Sequence, residues 1–127
     1  MDDDRYFRFH AETQSSAVSG RALQRVRSNH FVIDDPAREG YNGPGEAPNA
    51  GEYFLSGITG CAVLMMERIA REENLPLQQV HVSMDAALDM EAERQELSVF
   101  DSASMHFSFA GVSDAEAEQL VATFKER

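Results

Sequence analysis

The feature that most constrains this chain is the stretch over residues 51–74, where apolar residues recur at Phe54, Ile58, Cys61, Met65 and Ile69, with Leu55, Ala62 and Met66 beside them. Steps of three and four residues gather such side chains on one side of an α-helix, and the spacing predicts a helix over the whole stretch. Charges collect only near its end, at Glu67, Arg68, Arg71 and Glu72. The first half therefore has no polar face for water and is expected to be enclosed, by the protein itself or by a partner subunit. Gly57 and Gly60 each cost a helix about 1 kcal/mol relative to alanine. They predict a close approach to the helix backbone, by a second helix or by a ligand.

The flanking segments set the fold class. Residues 5–15 alternate, with Tyr6, Phe7 and Phe9 among Arg8, His10 and Glu12, and this predicts a half-buried strand after an acidic tail. Gly20 makes a turn before residues 22–27, and the run 30–33 is a further strand that Pro36 stops, so three antiparallel strands are expected in the first third. Glycine and proline crowd residues 37–49, which predicts a functional loop. After Asn74-Leu75-Pro76 ends the helix, residues 80–86 alternate as a strand, 91–96 form a charged turn, and 97–110 read as a second long strand with Val99, Met105, Phe107 and Phe109 on one face. These two strands are expected to form a hairpin. Ser113-Asp114-Ala115-Glu116 is a capping box opening a last helix that buries Leu120, Val121 and Phe124. The order predicts an α+β domain.

At 127 residues and 43% apolar content, the chain is expected to be one domain, residues 1–127. The single cysteine allows no intramolecular disulfide, and neither a signal segment nor a long apolar run stands out, so a soluble cytoplasmic protein with no membrane role is expected. With 22 acidic against 11 basic residues the net charge is -11, which opposes a phosphate backbone and argues against nucleic-acid binding. A neutral or apolar substrate suits this balance better. His10, His30, His81 and His106 are scattered without metal-ligand spacing, so neither metal nor cofactor is expected.

The chemistry on offer is one thiol, Cys61, and one carboxylate at the helix start, Glu52. Together with Asp34-Asp35-Pro36, Asn42-Gly43-Pro44, Pro48, Leu55 and Gly60, they give the chain an order that resembles the OsmC/Ohr family of thiol-dependent hydroperoxide reductases. The resemblance implies an OsmC-like α+β fold, with antiparallel sheets around a long central helix, assembled as an intertwined homodimer. It implies that Cys61 attacks the O–O bond of an organic hydroperoxide, and that an arginine from the N-terminal strands, held by Glu52, favours the thiolate. Arg21, which follows Gly20, is the first candidate, with Arg25 and Arg27 behind it. Phe54, Ile58, Met65 and the hairpin aromatics would supply an apolar wall for the substrate. The family's second cysteine and final strand are expected after the last helix and do not occur up to Arg127. An external thiol would then resolve the sulfenic acid. The alternative is a non-catalytic member of the fold that binds a small apolar ligand or serves a structural role.

Helix geometry adds an argument that does not depend on the resemblance. Nine residues separate Glu52 from Cys61, and nine steps come to about 900°, so the two side chains leave opposite sides of a straight helix. They need not share a site within one subunit, whereas in two paired helices the thiol of one chain could face the Arg and Glu of the other. Read without the resemblance, Cys61 is a small core residue, Glu52 complements the helix dipole, the three arginines form a solvated strand face, and Met65-Met66 fills the core.

Overall fold

A computed structural model of the chain describes residues 5–91 and 100–127. The elements run β1 (Glu12–Ser15), β2 (Arg21–Val26), β3 (Asn29–Asp34), α1 (Ala50–Glu72), β4 (Gln79–Ala87), β5 (Ser102–Ala110) and α2 (Asp114–Lys125). Two compact units divide them, Met1–Phe54 and Leu55–Arg127.

The first unit is a three-stranded antiparallel sheet in the order β1-β2-β3, followed by a loop and the first turn of α1. A two-residue turn at Arg27-Ser28 joins β2 to β3, with Val26 opposite Asn29, and this fixes the register so that Arg21 lies opposite Asp34. The first strand is shorter than expected. β1 pairs only from Glu12, whose partner is Arg25, and β2 turns away two residues later, so nothing remains for residues 5–11 to pair with. That segment lies outside any strand. The rings of Phe7 and Phe9, 84% and 85% exposed, stack on each other at 4.7 Å, and Arg5 and Arg8 sit over Tyr6.

The loop over residues 37–49 is tied back to the sheet edge by Gly43 N–H to Pro36 O, Gly45 N–H to Asp35 O, and Asp34 N–H to Pro48 O. It also packs against the turn before β2. Gly20 has φ +79°, and a Cβ there would lie 2.8 Å from the Cα of Gly43; one on Gly43 would lie 2.3 Å from the carbonyl of Asp35. Both positions therefore demand glycine. The Asp34-Asp35-Pro36 and Asn42-Gly43-Pro44 motifs are thus two sides of one backbone contact.

The second unit holds most of α1, the β4-β5 hairpin and α2. Its core is Met66, Ile69, Ala70 and Leu120, with Met65, Leu75, Leu77, Val80, Phe107, Phe109, Val112, Val121 and Phe124 packed around it. Asn74, with φ +55°, ends α1 in a left-handed turn in which the N–H of Leu75 reaches the carbonyl of Ala70 at 2.8 Å. This wrapped helix end directs Leu75 onto the core. In the hairpin Val80 lies opposite Phe109, Val82 opposite Phe107 and Met84 opposite Met105, so alternate residues of both strands share the inner face. β5 begins at Ser102; Val99 and residues 92–96 of the expected charged turn lie outside the described residues.

The capping box that opens α2 is complete, with Ser113 Oγ accepting from Glu116 N–H and Glu116 Oε1 accepting from Ser113 N–H. Ser113→Ala is expected to lower stability by about 1 kcal/mol, measured as a fall in the urea midpoint at unchanged slope.

The described residues of this chain leave the first half of the central helix partly open. Phe54 and Leu64 are 53% and 62% exposed, and a Cβ on Gly57 or Gly60 would meet nothing within 4 Å among the described residues. By length and composition alone α1 is long and apolar enough to cross a membrane. Its Met66, Ile69 and Ala70 nevertheless pack with Leu120 of α2, as in a core helix.

Candidate active site

Arg21 opens β2 directly across from Asp34, the last residue of β3, and the register brings the two side chains together. The guanidinium is gripped along one edge: Nε donates to Asp34 Oδ1 at 2.7 Å and Nη2 to Asp34 Oδ2 at 2.8 Å. Nη2 also donates to Glu46 Oε1 at 2.9 Å. Asp34 is fully buried, and its Oδ2 accepts two further bonds, from the backbone N–H groups of Glu46 and Ala47 at 3.0 Å each. A buried carboxylate is tolerable because these donors replace the water it lost. Neither carboxylate engages Nη1.

The hydrogen bonds from Arg21, above all, hold the Asp34 carboxyl well below the usual carboxylate range, against the opposing effect of burial; the Ala47 and Glu46 amides add to them. The same pair pushes the Arg21 guanidinium above its ordinary value, through its hydrogen bonds to Asp34 and then Glu46. In the unfolded chain Asp34 would titrate near about 3.9. Its stabilising contribution is therefore complete above that pH and is lost as the pH falls toward the lower folded value. Asp34→Asn is expected to be less stable than the parent, with a gap in urea midpoint that is constant from about pH 7 to 5 and narrows below about 4. A gap independent of pH would mean that the charge on Asp34 contributes nothing.

Glu52 stands in the first turn of α1, where the sequence places it. Its Oε1 accepts from the N–H of Asn49 at 2.9 Å, and Asn49 Oδ1 accepts from the N–H of Glu52 at 2.9 Å, a reciprocal cap of the helix start. Among the described residues no hydrogen bond or ion pair joins Glu52 to Arg21. Arg25 pairs with Glu12, and Arg27 occupies the β2-β3 turn with φ +55°.

Cys61 is exposed and free. Of the residues expected to wall a substrate, Phe54 is exposed, Ile58 is half-buried, and Met65 packs against the Met66-Leu120 core together with Phe107 and Phe109. No group of three metal-ligating side chains occurs among the described residues. Sequence reasoning missed the roles of Asp34 and Glu46. The signal for Asp34 was present, since a two-residue turn at Arg27-Ser28 puts residues 21 and 34 opposite each other.

Comparison with known proteins agrees with the resemblance read from the residues. Residues 43–127 match the family model described as OsmC-like protein. No curated protein matches the chain in sequence. Among solved structures, an OsmC-like protein from Mycoplasma pneumoniae superposes with a TM-score of 0.80 at 10% identity, over 95% of this chain and 82% of that one. An organic hydroperoxide resistance protein OsmC from Legionella pneumophila gives 0.70 at 21% identity, over 94% and 83%. A putative organic hydroperoxide resistance protein from Vibrio cholerae, with captopril bound in one of its active sites, gives 0.66 at 19% identity, over 99% and 84%. With two antiparallel sheets, a long helix and a family match over well over half of its length, this chain belongs to the OsmC family.

Proposed function

We propose that this protein reduces organic hydroperoxides at Cys61, using an external thiol as reductant. The observation that carries the proposal is an exposed thiol on the apolar face of the central helix of an OsmC-family chain. The Cys61 thiolate attacks one oxygen of the hydroperoxide; the O–O bond breaks, and the departing alkoxide takes a proton and leaves as the alcohol. Cys61 is left as a sulfenic acid. Because Cys61 is the sole thiol in these residues, an external thiol condenses with the sulfenic acid to release water and form a mixed disulfide, and a second thiol regenerates the thiolate. Arg21 is the proposed cation that favours the thiolate. Glu52 has a secondary part, since its Oε1 already accepts from the helix start. Phe54 and Ile58 are the proposed contacts for the alkyl group, with Met65 behind them. A lone thiol kept reduced suits a cytoplasmic setting.

Turnover of cumene hydroperoxide with dithiol and monothiol donors tests this reading. Saturable peroxide dependence is expected, with the sulfenic acid trapped on the Cys61 peptide when donor is withheld. A folded protein whose thiol is inert to excess hydroperoxide would instead point to ligand binding without turnover. That second reading is favoured by one observation, the engagement of both Arg21 and Glu52 by partners other than a thiol.

We also propose that the protein works as a homodimer. Exposed Phe54 and Leu64 flank the open Gly57 and Gly60 positions on an apolar helix face, and each large side chain on it would contribute roughly 1.5–3 kcal/mol once buried. Sedimentation at micromolar concentration is expected to give twice the mass of one chain; a folded monomer would overturn the dimer.

A further inference from the structure

Asp34 holds successive residues of the loop over residues 37–49 from one position at the end of β3. Its N–H donates to the carbonyl of Pro48 at 3.1 Å, and its Oδ2 accepts from the N–H groups of Glu46 and Ala47 at 3.0 Å each. Gly43 and Gly45 are tied only through neutral backbone bonds, to the carbonyls of Pro36 and Asp35. A hydrogen bond to a charged, buried acceptor is the stronger kind, so the hold on the loop is concentrated at Asp34, which is fully buried. Arg21 sets the plane of that carboxylate by donating through Nε to Oδ1 and through Nη2 to Oδ2, which keeps Oδ2 aimed at the loop amides. The Glu46 side chain reaches the same guanidinium from solvent. All of these residues lie within the unit Met1–Phe54.

We propose that this loop is a strap that opens as one unit while β2 and β3 stay paired, and that Asp34, oriented by Arg21, is the latch that holds it shut. Two loop amides converge on one oxygen, so their bonds are made and lost together. The pairing of β2 with β3 runs from Arg21 opposite Asp34 to Val26 opposite Asn29 and uses no loop residue, so it survives the opening. Residues 37–42 are all exposed, and releasing them forfeits little buried apolar surface. Segments of that kind open at the low end of a protein's range of local stabilities. Beyond the latch, Asn49 and Glu52 cap each other at the start of α1 and give the strap a firm far end. The device is separate from any chemistry at Cys61.

The experiment is native-state amide hydrogen exchange in graded urea, followed by nitrogen-15 NMR, on the parent, Asp34→Asn, Arg21→Gln and Glu46→Gln. In the parent the amides of Gly43, Gly45, Glu46 and Ala47 are expected to share one opening, with a lower free energy and a weaker urea dependence than the amides of β2 and β3. Asparagine has one acceptor oxygen, so it cannot serve both the guanidinium and the loop amides. Asp34→Asn should therefore speed exchange at all four amides about ten- to hundredfold, including Gly43 and Gly45, which do not bond to Asp34. Arg21→Gln leaves the carboxylate charged but without its orienting partner, and it should speed the same four; it decides the matter if Asp34→Asn does not fold. Glu46→Gln keeps the backbone donor and loses only an exposed ion pair, so exchange should stay within about twofold of the parent. Strap amides that exchange only together with β2 and β3 in the parent would overturn the opening. Acceleration confined to Glu46 and Ala47 in Asp34→Asn, or no acceleration in Arg21→Gln, would overturn the latch, as would a Glu46→Gln protein that exchanges as fast as Asp34→Asn.

Discussion

Cys61→Ser is expected to abolish turnover of organic hydroperoxides, a loss on the order of 10³-fold or more, as is usual when a covalent nucleophile is removed. A serine hydroxyl fits the space of the thiol and suits an exposed helix position, so unfolding should change by no more than about 0.5 kcal/mol. The two measurements together separate chemistry from folding. Serine cannot supply a thiolate at neutral pH or accept the peroxide oxygen as a sulfenic acid, so no residual redox cycle can pass through this position. Steady-state turnover with cumene hydroperoxide, beside urea unfolding of the same samples, checks the expectation. Retained turnover in a folded Cys61→Ser protein would show that the reducing equivalents do not enter at Cys61.

Leu120→Ala is expected to cost about 2–5 kcal/mol of stability. Leu120 has no exposed surface and belongs to the four-residue core with Met66, Ile69 and Ala70. Truncation removes apolar contacts and leaves a cavity between α2 and α1 that so small a core cannot fill by rearrangement. Against a total of about 5–15 kcal/mol for a domain, this loss brings the second unit close to unfolding. Leu120→Met, which nearly preserves volume, should cost less than about 1.5 kcal/mol. Urea unfolding of the two variants provides the check; equal losses would mean that Leu120 acts through something other than filled volume.

The residues by themselves determined the elements wherever the determinants are local. The 3.6-residue recurrence over 51–74 specified α1 (Ala50–Glu72), the alternation over 80–86 specified β4, and Ser113 with Glu116 specified the start of α2. Each of these depends on contacts a few residues apart, which a linear sequence displays directly. The alternation over 5–11 misled because a strand also needs a partner backbone, and β2 has turned away before those residues could reach it. Glu52 was legible as a helix-start acid, and its reciprocal cap with Asn49, at the same three-residue spacing as Ser113 with Glu116, was a local signal that went unread. Tertiary structure decided which carboxylate holds Arg21, because thirteen residues of sequence separation to Asp34 close only through the hairpin register. It also decided that Asp34 and not Glu46 is buried: the loop over residues 37–49 folds its amides onto Asp34 and leaves the Glu46 side chain in solvent. Burial is a property of everything packed around a group, so no local pattern in the chain could have assigned it.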